Sequence, residues 1–272
     1  MRFTLQWRPA PAGPDPAPEQ VAAALARAAA EALLTRAGAD PLAFHYENPR
    51  TRVAADLAVG PGIAARIPLP RARFHLLEVE DLLRRVQGEL GGEVVALGLE
   101  AHEGDWAAAN RLALAALGPR AAEYAPLPPE HGEAWWRFTM ARQAFRLAWP
   151  SADVIIPDLM LVRPREGGPA ARLVVWPEQA SSLVLPEAEF VAIRRAPRPF
   201  APDPQPPAGL IPWADAVAAL GDALERHETP LPHWLYRGGE AHPLRIRALL
   251  DLARVPGSAY RPVPADRVVD GP

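Results

Sequence analysis

Arg2-Phe3-Thr4-Leu5-Gln6-Trp7-Arg8 sets three large apolar residues at alternate positions, separated by polar and charged ones. Successive strand side chains point to opposite faces, so this spacing predicts a strand with one buried and one wet face. The proline-rich residues 9 to 18 end it. Val21, Leu25, Ala28, Ala32 and Leu33 then recur at helical spacing up to Gly38, which reads as a helix stop. Leu42, Phe44 and Tyr46 alternate again, Glu47-Asn48-Pro49-Arg50 has turn composition, and Val53 to Val59 returns as a hairpin partner. Beyond the Gly- and Pro-punctuated residues 60 to 70, Leu76, Val79, Leu83, Val86 and Leu90 form an apolar helical stripe. Glu78, Asp81, Arg84 and Arg85 lie beside or opposite it. Gly91-Gly92 stops that helix, and Val94 to Leu99 supplies another strand. The order strand, helix, strand, strand, helix, strand predicts a ferredoxin-like split β-α-β unit over residues 1–104. The expected class is α+β: a mostly antiparallel sheet with helices packed on it.

In the next segment, 105–196, Asp105 is the expected N-cap of a helix from Trp106 to Leu117. A loop over 118–132 leads to a second helix from Glu133 to Leu147. Asp153 to Val162, a Gly167-Gly168 turn, Ala171 to Trp176 and Glu189 to Arg194 read as consecutive antiparallel strands, continuous with the first unit. Seven prolines between Arg195 and Pro212 mark 197–212 as a linker. Residues 213–255 read as a helical segment with stripes at Trp213, Val217, Leu220 and Leu224, then at Leu244, Leu249, Leu250 and Leu252. Two helices are too few for a core of their own and are expected to pack back on the sheet. Residues 256–272 read as a loosely ordered tail.

All 29 basic residues are arginine; the 272-residue chain has neither lysine nor cysteine. Lysine-dependent Schiff-base and phosphate-loop chemistry is thereby excluded, as are thiol nucleophiles, disulfides and thiolate metal sites. Abundant Ala, Arg, Pro and Gly with only Asn48 and Asn110 as asparagines is also the composition of a GC-rich, for instance bacterial, genome. Sixteen Arg and 17 acids precede Ser151, and 13 Arg and 15 acids follow. With no basic block to neutralise phosphates, no nucleic-acid partner is expected. No apolar run matches a secretory signal or a membrane span, so no membrane partner and a cytoplasmic location are expected.

Pro157-Asp158 and Glu178 are partly similar to the PD-(D/E)xK nuclease arrangement, in which two carboxylates hold Mg²⁺ and a lysine steadies water. Gln179 and Ala180 follow Glu178, so the lysine position is unfilled. His227, His233 and His242 cluster in sequence at spacings that fit no compact zinc motif. His102-Glu103-Gly104-Asp105 reads as a helix-capping loop more readily than as an acid/base pair. Ser151, Ser181, Ser182 and Ser258 lie outside any G-x-S-x-G elbow, and no Gly-rich nucleotide fingerprint occurs. No cofactor is expected.

Adjacent Trp135 and Trp136 point about 100° apart on a helix, so one core stripe does not hold both. Trp and Arg are enriched at binding hot spots. Trp135, Trp136, Arg137 and Arg142 are therefore the candidate partner-binding residues, with two core tryptophans as the competing reading. The functional expectation is a non-enzymatic cytoplasmic interaction protein: an adaptor, regulator or immunity-type binder of another protein. The alternative is a metal-dependent hydrolase or nuclease using Asp158 and Glu178.

Overall fold

The computed structural model describes residues 1–11, 15–29, 33–38, 40, 42–99, 105–195 and 209–271. The chain is α+β. It divides into two units, Met1–Glu133 with Pro264–Pro272, and Ala134–Val263.

In the first unit, alternation in the opening stretch builds β1 (Arg2–Arg8), the second-last strand of a six-stranded sheet. The others are β2 (Leu33–Arg36), β3 (Ala43–Glu47), β4 (Ala54–Val59), β5 (Ile63–Pro68) and β6 (Glu93–Gly98). Their order is β2-β3-β4-β5-β1-β6, and every neighbouring pair is antiparallel. Phe3 opposes Ile67, Leu5 opposes Ala65 and Trp7 opposes Ile63, all on the buried face. Helices α1 (Pro18–Ala28) and α2 (Arg73–Leu90) pack on one another, and α2 also packs on β1, β5 and β6. Two glycines close the return from α2 to β6. Trp7 Nε1 donates to Gly91 O at 2.9 Å, and a Cβ on Gly92 (φ 88°) would stand 2.1 Å from Arg8 O.

The sheet corrects the four-strand ferredoxin-like expectation. Ile63–Pro68 lies within the stretch read as punctuation, yet it is the strand seated between β1 and β4. Gly60-Pro61-Gly62 and Pro68 bound it, and Gly60 N–H bonds Gly62 O, so the Gly/Pro cluster is a hairpin turn rather than a loop. Val53 to Val59 consequently pairs with β3 and β5, not with β1. The first helix ends at Ala28, and Leu33–Arg36, read as its last turn, is an outer strand.

Helix α3 (Trp106–Leu117) starts at the expected cap, Asp105 accepting from Ala108 N at 3.0 Å. The short strand β7 (Ala125–Leu127) pairs in parallel with Val268–Asp270. This pairing corrects the tail expectation. Val268 and Val269 are buried, and Asp270 accepts from Arg73 N at the start of α2 (2.8 Å) and from Trp106 Nε1 (3.2 Å). A carboxylate there satisfies an orphan donor of the first helical turn. Burial nevertheless pushes the Asp270 carboxyl above the usual carboxylate value.

The expected 133–147 helix is two helices, α4 (Pro129–Met140) and α5 (Arg142–Ala148). In the second unit they precede β8 (Val154–Ile155), β9 (Asp158–Pro164), β10 (Ala171–Pro177), β11 (Ser182–Leu185), β12 (Phe190–Arg194) and β13 (Ile211–Pro212). Then come α6 (Trp213–Leu220), β14 (Leu224–His227), β15 (His233–Arg237), α7 (His242–Asp251) and β16 (Tyr260–Pro262). One sheet has the order β13-β12-β10-β9-β16 and another β14-β15-β11-β8. The consecutive antiparallel reading holds for β9 and β10 but fails next: β10 and β12 are parallel, because the chain between them carries β11 into the other sheet. Residues 213–255 are not purely helical, since β14 and β15 form a hairpin. Of the expected linker, residues 197–208 lie outside the described residues. Leu210 bridges Val255 and β13 pairs with β12, so residues 210–212 belong to a sheet.

Candidate functional site

The sequence-selected residues gather where α4 and α5 meet the segment from Val154 to Leu159. β8 is the last strand of its sheet, and β16 with Val263 just beyond it covers β9 only from Leu161 to Pro164. Carbonyls at such an edge need donors from elsewhere. Trp135 Nε1 donates to Leu159 O (2.8 Å), Arg142 to Ile156 O (3.2 Å) and Pro157 O (3.0 Å), and Arg146 to Val154 O (3.1 Å). The helices thus act as a row of donors along the edge. Trp135 is 6% exposed and Phe138 and Phe145 are buried beside it, whereas Trp136 is half-buried and Arg137 exposed. The two tryptophans therefore part company as helical geometry requires. Arg142, grouped with them from sequence as a partner contact, serves the fold itself.

Arg142 also holds Asp158, Nη1 to Oδ1 at 2.9 Å. Asp158 stands opposite Val175 on β10, and Glu178 lies three residues further on, roughly 10 Å along a strand. The backbone of Glu178 bonds Arg194 O through N–H, and its carbonyl accepts from His242 Nε2 at 2.8 Å. His242 thus reaches the main chain of Glu178, with its other nitrogen, Nδ1, 3.0 Å from Tyr236 Oη. With Nε2 donating, Nδ1 is the acceptor of the tyrosine proton. Gly238 leaves room for this clip, since a Cβ there would fall 2.5 Å from Tyr236 Oη.

His227 and His233 form a different cluster. Their rings stack 5.4 Å apart at 18°, with Trp149 edge-on to both. Burial, and secondarily the neighbouring His227, holds the His233 imidazole below its ordinary pKa; the Leu231 carbonyl opposes this shift. Asp158, Glu178 and the histidines do not converge. Among the described residues no group of three or more His, Asp or Glu is placed to hold a metal ion. His102, Glu103 and Gly104 lie outside the described residues.

Sequence reasoning missed the most buried polar constellation. Glu78, 2% exposed on α2, accepts from Tyr46 Oη at 2.9 Å and Asn48 Nδ2 at 2.7 Å. Burial and the adjacent Glu78 push the Tyr46 hydroxyl far above its usual pKa, so it remains a donor. One turn earlier His75 is fully buried, with Nε2 3.3 Å from Ala265 O and Nδ1 without a hydrogen-bond partner; burial pushes its pKa down to about 3. Neither group is tuned for proton transfer near neutrality. The available signal was Glu78 standing between Leu76 and Val79 in an otherwise apolar stripe. No helix of the described residues is long and apolar enough to cross a membrane. Comparison with family models, curated proteins and solved structures found no match to this chain.

Proposed function

We propose that this chain is a non-enzymatic cytoplasmic protein that binds another protein, as an adaptor, regulator or immunity-type binder, through the outer surface of α4. The observation that carries this reading is the division of α4: Trp135 is anchored inward on Leu159 O, while the next two residues present a half-buried indole and an exposed guanidinium. A half-buried large ring loses little conformational freedom on binding, and Arg beside it adds planar, multidentate donors. Leu147 on α5, 74% exposed, adds apolar surface in the same pair of helices. The balanced charge supports a protein rather than a nucleic acid as partner. Ion pairing of Asp158 with Arg142 supports a structural rather than metal-binding role for that carboxylate.

The test is a photoreactive phenylalanine analogue at position 136 of the full chain, irradiated in the cells that make it. The reading expects one discrete protein adduct that Arg137→Glu abolishes, and none from the same label at the exposed Leu244. Equal labelling from both positions would refute it. Stoichiometric Mg²⁺, Mn²⁺ or Zn²⁺ binding that Asp158→Ala removes would instead support the hydrolase alternative.

A further inference from the structure

The indole of Trp149, at the end of α5, joins that helix to the β14–β15 hairpin. Its N–H is a donor with no acceptor capacity, and it meets Nε2 of His233 at 3.3 Å. His233 is 2% exposed, and its Nδ1 lies 2.7 Å from Leu231 O. Both contacts are satisfied by one protonation state, with hydrogen on Nδ1 and the lone pair on Nε2. A proton on Nε2 would set two donors against each other. Phe145 of α5 meets the same imidazole edge-on at 5.0 Å, and His227 stacks on it at 5.4 Å. The Nε2 of His227 is buried and 3.4 Å from Glu225 Oε1, too poorly aligned for a hydrogen bond.

We infer that Trp149, His233 and His227 form an acid-operated latch, in which protonation of His233 breaks its bond with Trp149 and releases the last turn of α5 from the β14–β15 hairpin. Burial lowers the His233 pKa; of the charges around the stack, His227 reinforces that shift and Glu228 opposes it. β14 and the residue after it carry Glu225, Arg226 and Glu228, β15 carries Arg237, and α5 carries Arg142 and Arg146. Glu228 is engaged by Arg226 at 2.9 Å, Glu225 lies 3.9 Å from Arg237, and the α5 arginines face the 154–158 edge. Burial outweighs both the Leu231 carbonyl and Glu228, which favour the charged ring, and keeps the imidazole below its ordinary pKa. Since the closed latch disfavours the charged ring, its stability is complete above about pH 6.5, the unfolded histidine value. It is lost as pH falls toward the lowered value of the folded state.

Amide hydrogen exchange of the full chain between pH 7.5 and 4.5, corrected for intrinsic rate, reads the latch directly. The amides of Phe145 and Trp149 bond Ala141 O and Phe145 O, and their protection should fall below roughly pH 6.5, by up to about tenfold per unit. Amides of β10 and β12 should hold over the same range. His233→Gln, whose side-chain carbonyl can still accept from Trp149 but does not titrate, should keep α5 protection constant. If that variant does not fold, nitrogen NMR of the native chain gives a second reading: an Nδ1-protonated His233 at pH 7.5, and a Trp149 indole resonance that follows its titration. Constant α5 protection, simultaneous loss in α5 and β10, or an indole resonance indifferent to His233 would each overturn the latch.

Discussion

Helix α2 and the pair α4–α5 are both amphipathic and arginine-bearing, yet they place their polar groups differently. α2 turns a carboxylate inward, and Tyr46 and Asn48 come to it; Arg84 pairs with Glu80 at 2.6 Å and Arg85 with Asp81 at 2.8 Å on its exposed face, Arg85 also reaching Ala28 O at the end of α1 at 3.4 Å. α4–α5 instead sends Trp135, Arg142 and Arg146 across to main-chain carbonyls. The difference lies in what each helix covers. β1 and β5 under α2 have strand neighbours on both sides, and beside the edge strand β6 Gln87 reaches one main-chain carbonyl, Gly92 O at 2.9 Å, whereas the 154–159 edge takes a row of donors. An arginine on a helix is therefore a surface ion pair or an edge clamp according to a neighbour that is remote in sequence.

The largest effect that would sharpen this contrast is Trp135→Ala. It removes a buried ring and the donor to Leu159 O, and should lower stability by about 3–5 kcal/mol, read by urea unfolding of the full chain. Glu78→Ala should follow at about 3 kcal/mol, because it strands the buried Tyr46 and Asn48 donors, each worth roughly 1–3 kcal/mol. Glu78→Gln, whose carbonyl still accepts, should recover most of that loss. Equal losses for Ala and Gln would show that Glu78 acts by charge and not by accepting these bonds.

Acid should distinguish the same helix in another way. His75 has a folded pKa near 3, below the unfolded value of about 6.5, so between those limits the unfolded chain binds the extra proton. Its contribution is complete above pH 6.5 and is lost as pH falls, by up to about 1.4 kcal/mol per unit, levelling off near pH 3. Comparing unfolding free energy against pH for the native chain and His75→Leu should show a shallower slope in the variant over that window. Identical slopes would contradict the assignment.

These residues also show how far the sequence was legible. Alternation in Phe3, Leu5 and Trp7 located β1, and the stripe from Leu76 to Leu90 located α2, because local periodicity mirrors burial. Ile63–Pro68 was hidden because the glycines and prolines around it are turn signals that carry no information about which strand lies beyond them. The parallel pairing of β10 with β12, and the strand Val268–Asp270, depend on partners remote in sequence. At the candidate site, the 100° separation of Trp135 and Trp136 was legible. The carbonyl row that claims Arg142 was not, since main-chain acceptors have no residue-type signature. Glu78 and His75 were obscured because a charged residue within an apolar stripe is ordinarily read as its solvent boundary.

Smaller effects probe the clamp. Arg142→Ala should cost about 1–2 kcal/mol by leaving the Ile156 and Pro157 carbonyls short of a donor, with partial relief from water because the side chain is one-third exposed. Arg84→Ala, which removes an exposed pair of similar length, should change stability by about 0.5 kcal/mol or less. Equivalence of the two would erase the distinction between clamp and surface pair.

The division of α4 is tested most directly by Trp136→Ala in the full chain, with stability and photo-crosslinking from a label at position 140, one turn along the same face of α4, measured on the same variant. We expect an unfolding free energy within about 1 kcal/mol of the native value, as for a change outside the core, together with loss of the discrete partner adduct. A stability loss matching that of Trp135→Ala, or an undiminished adduct, would contradict the account: Trp136 would then be core, or irrelevant to binding.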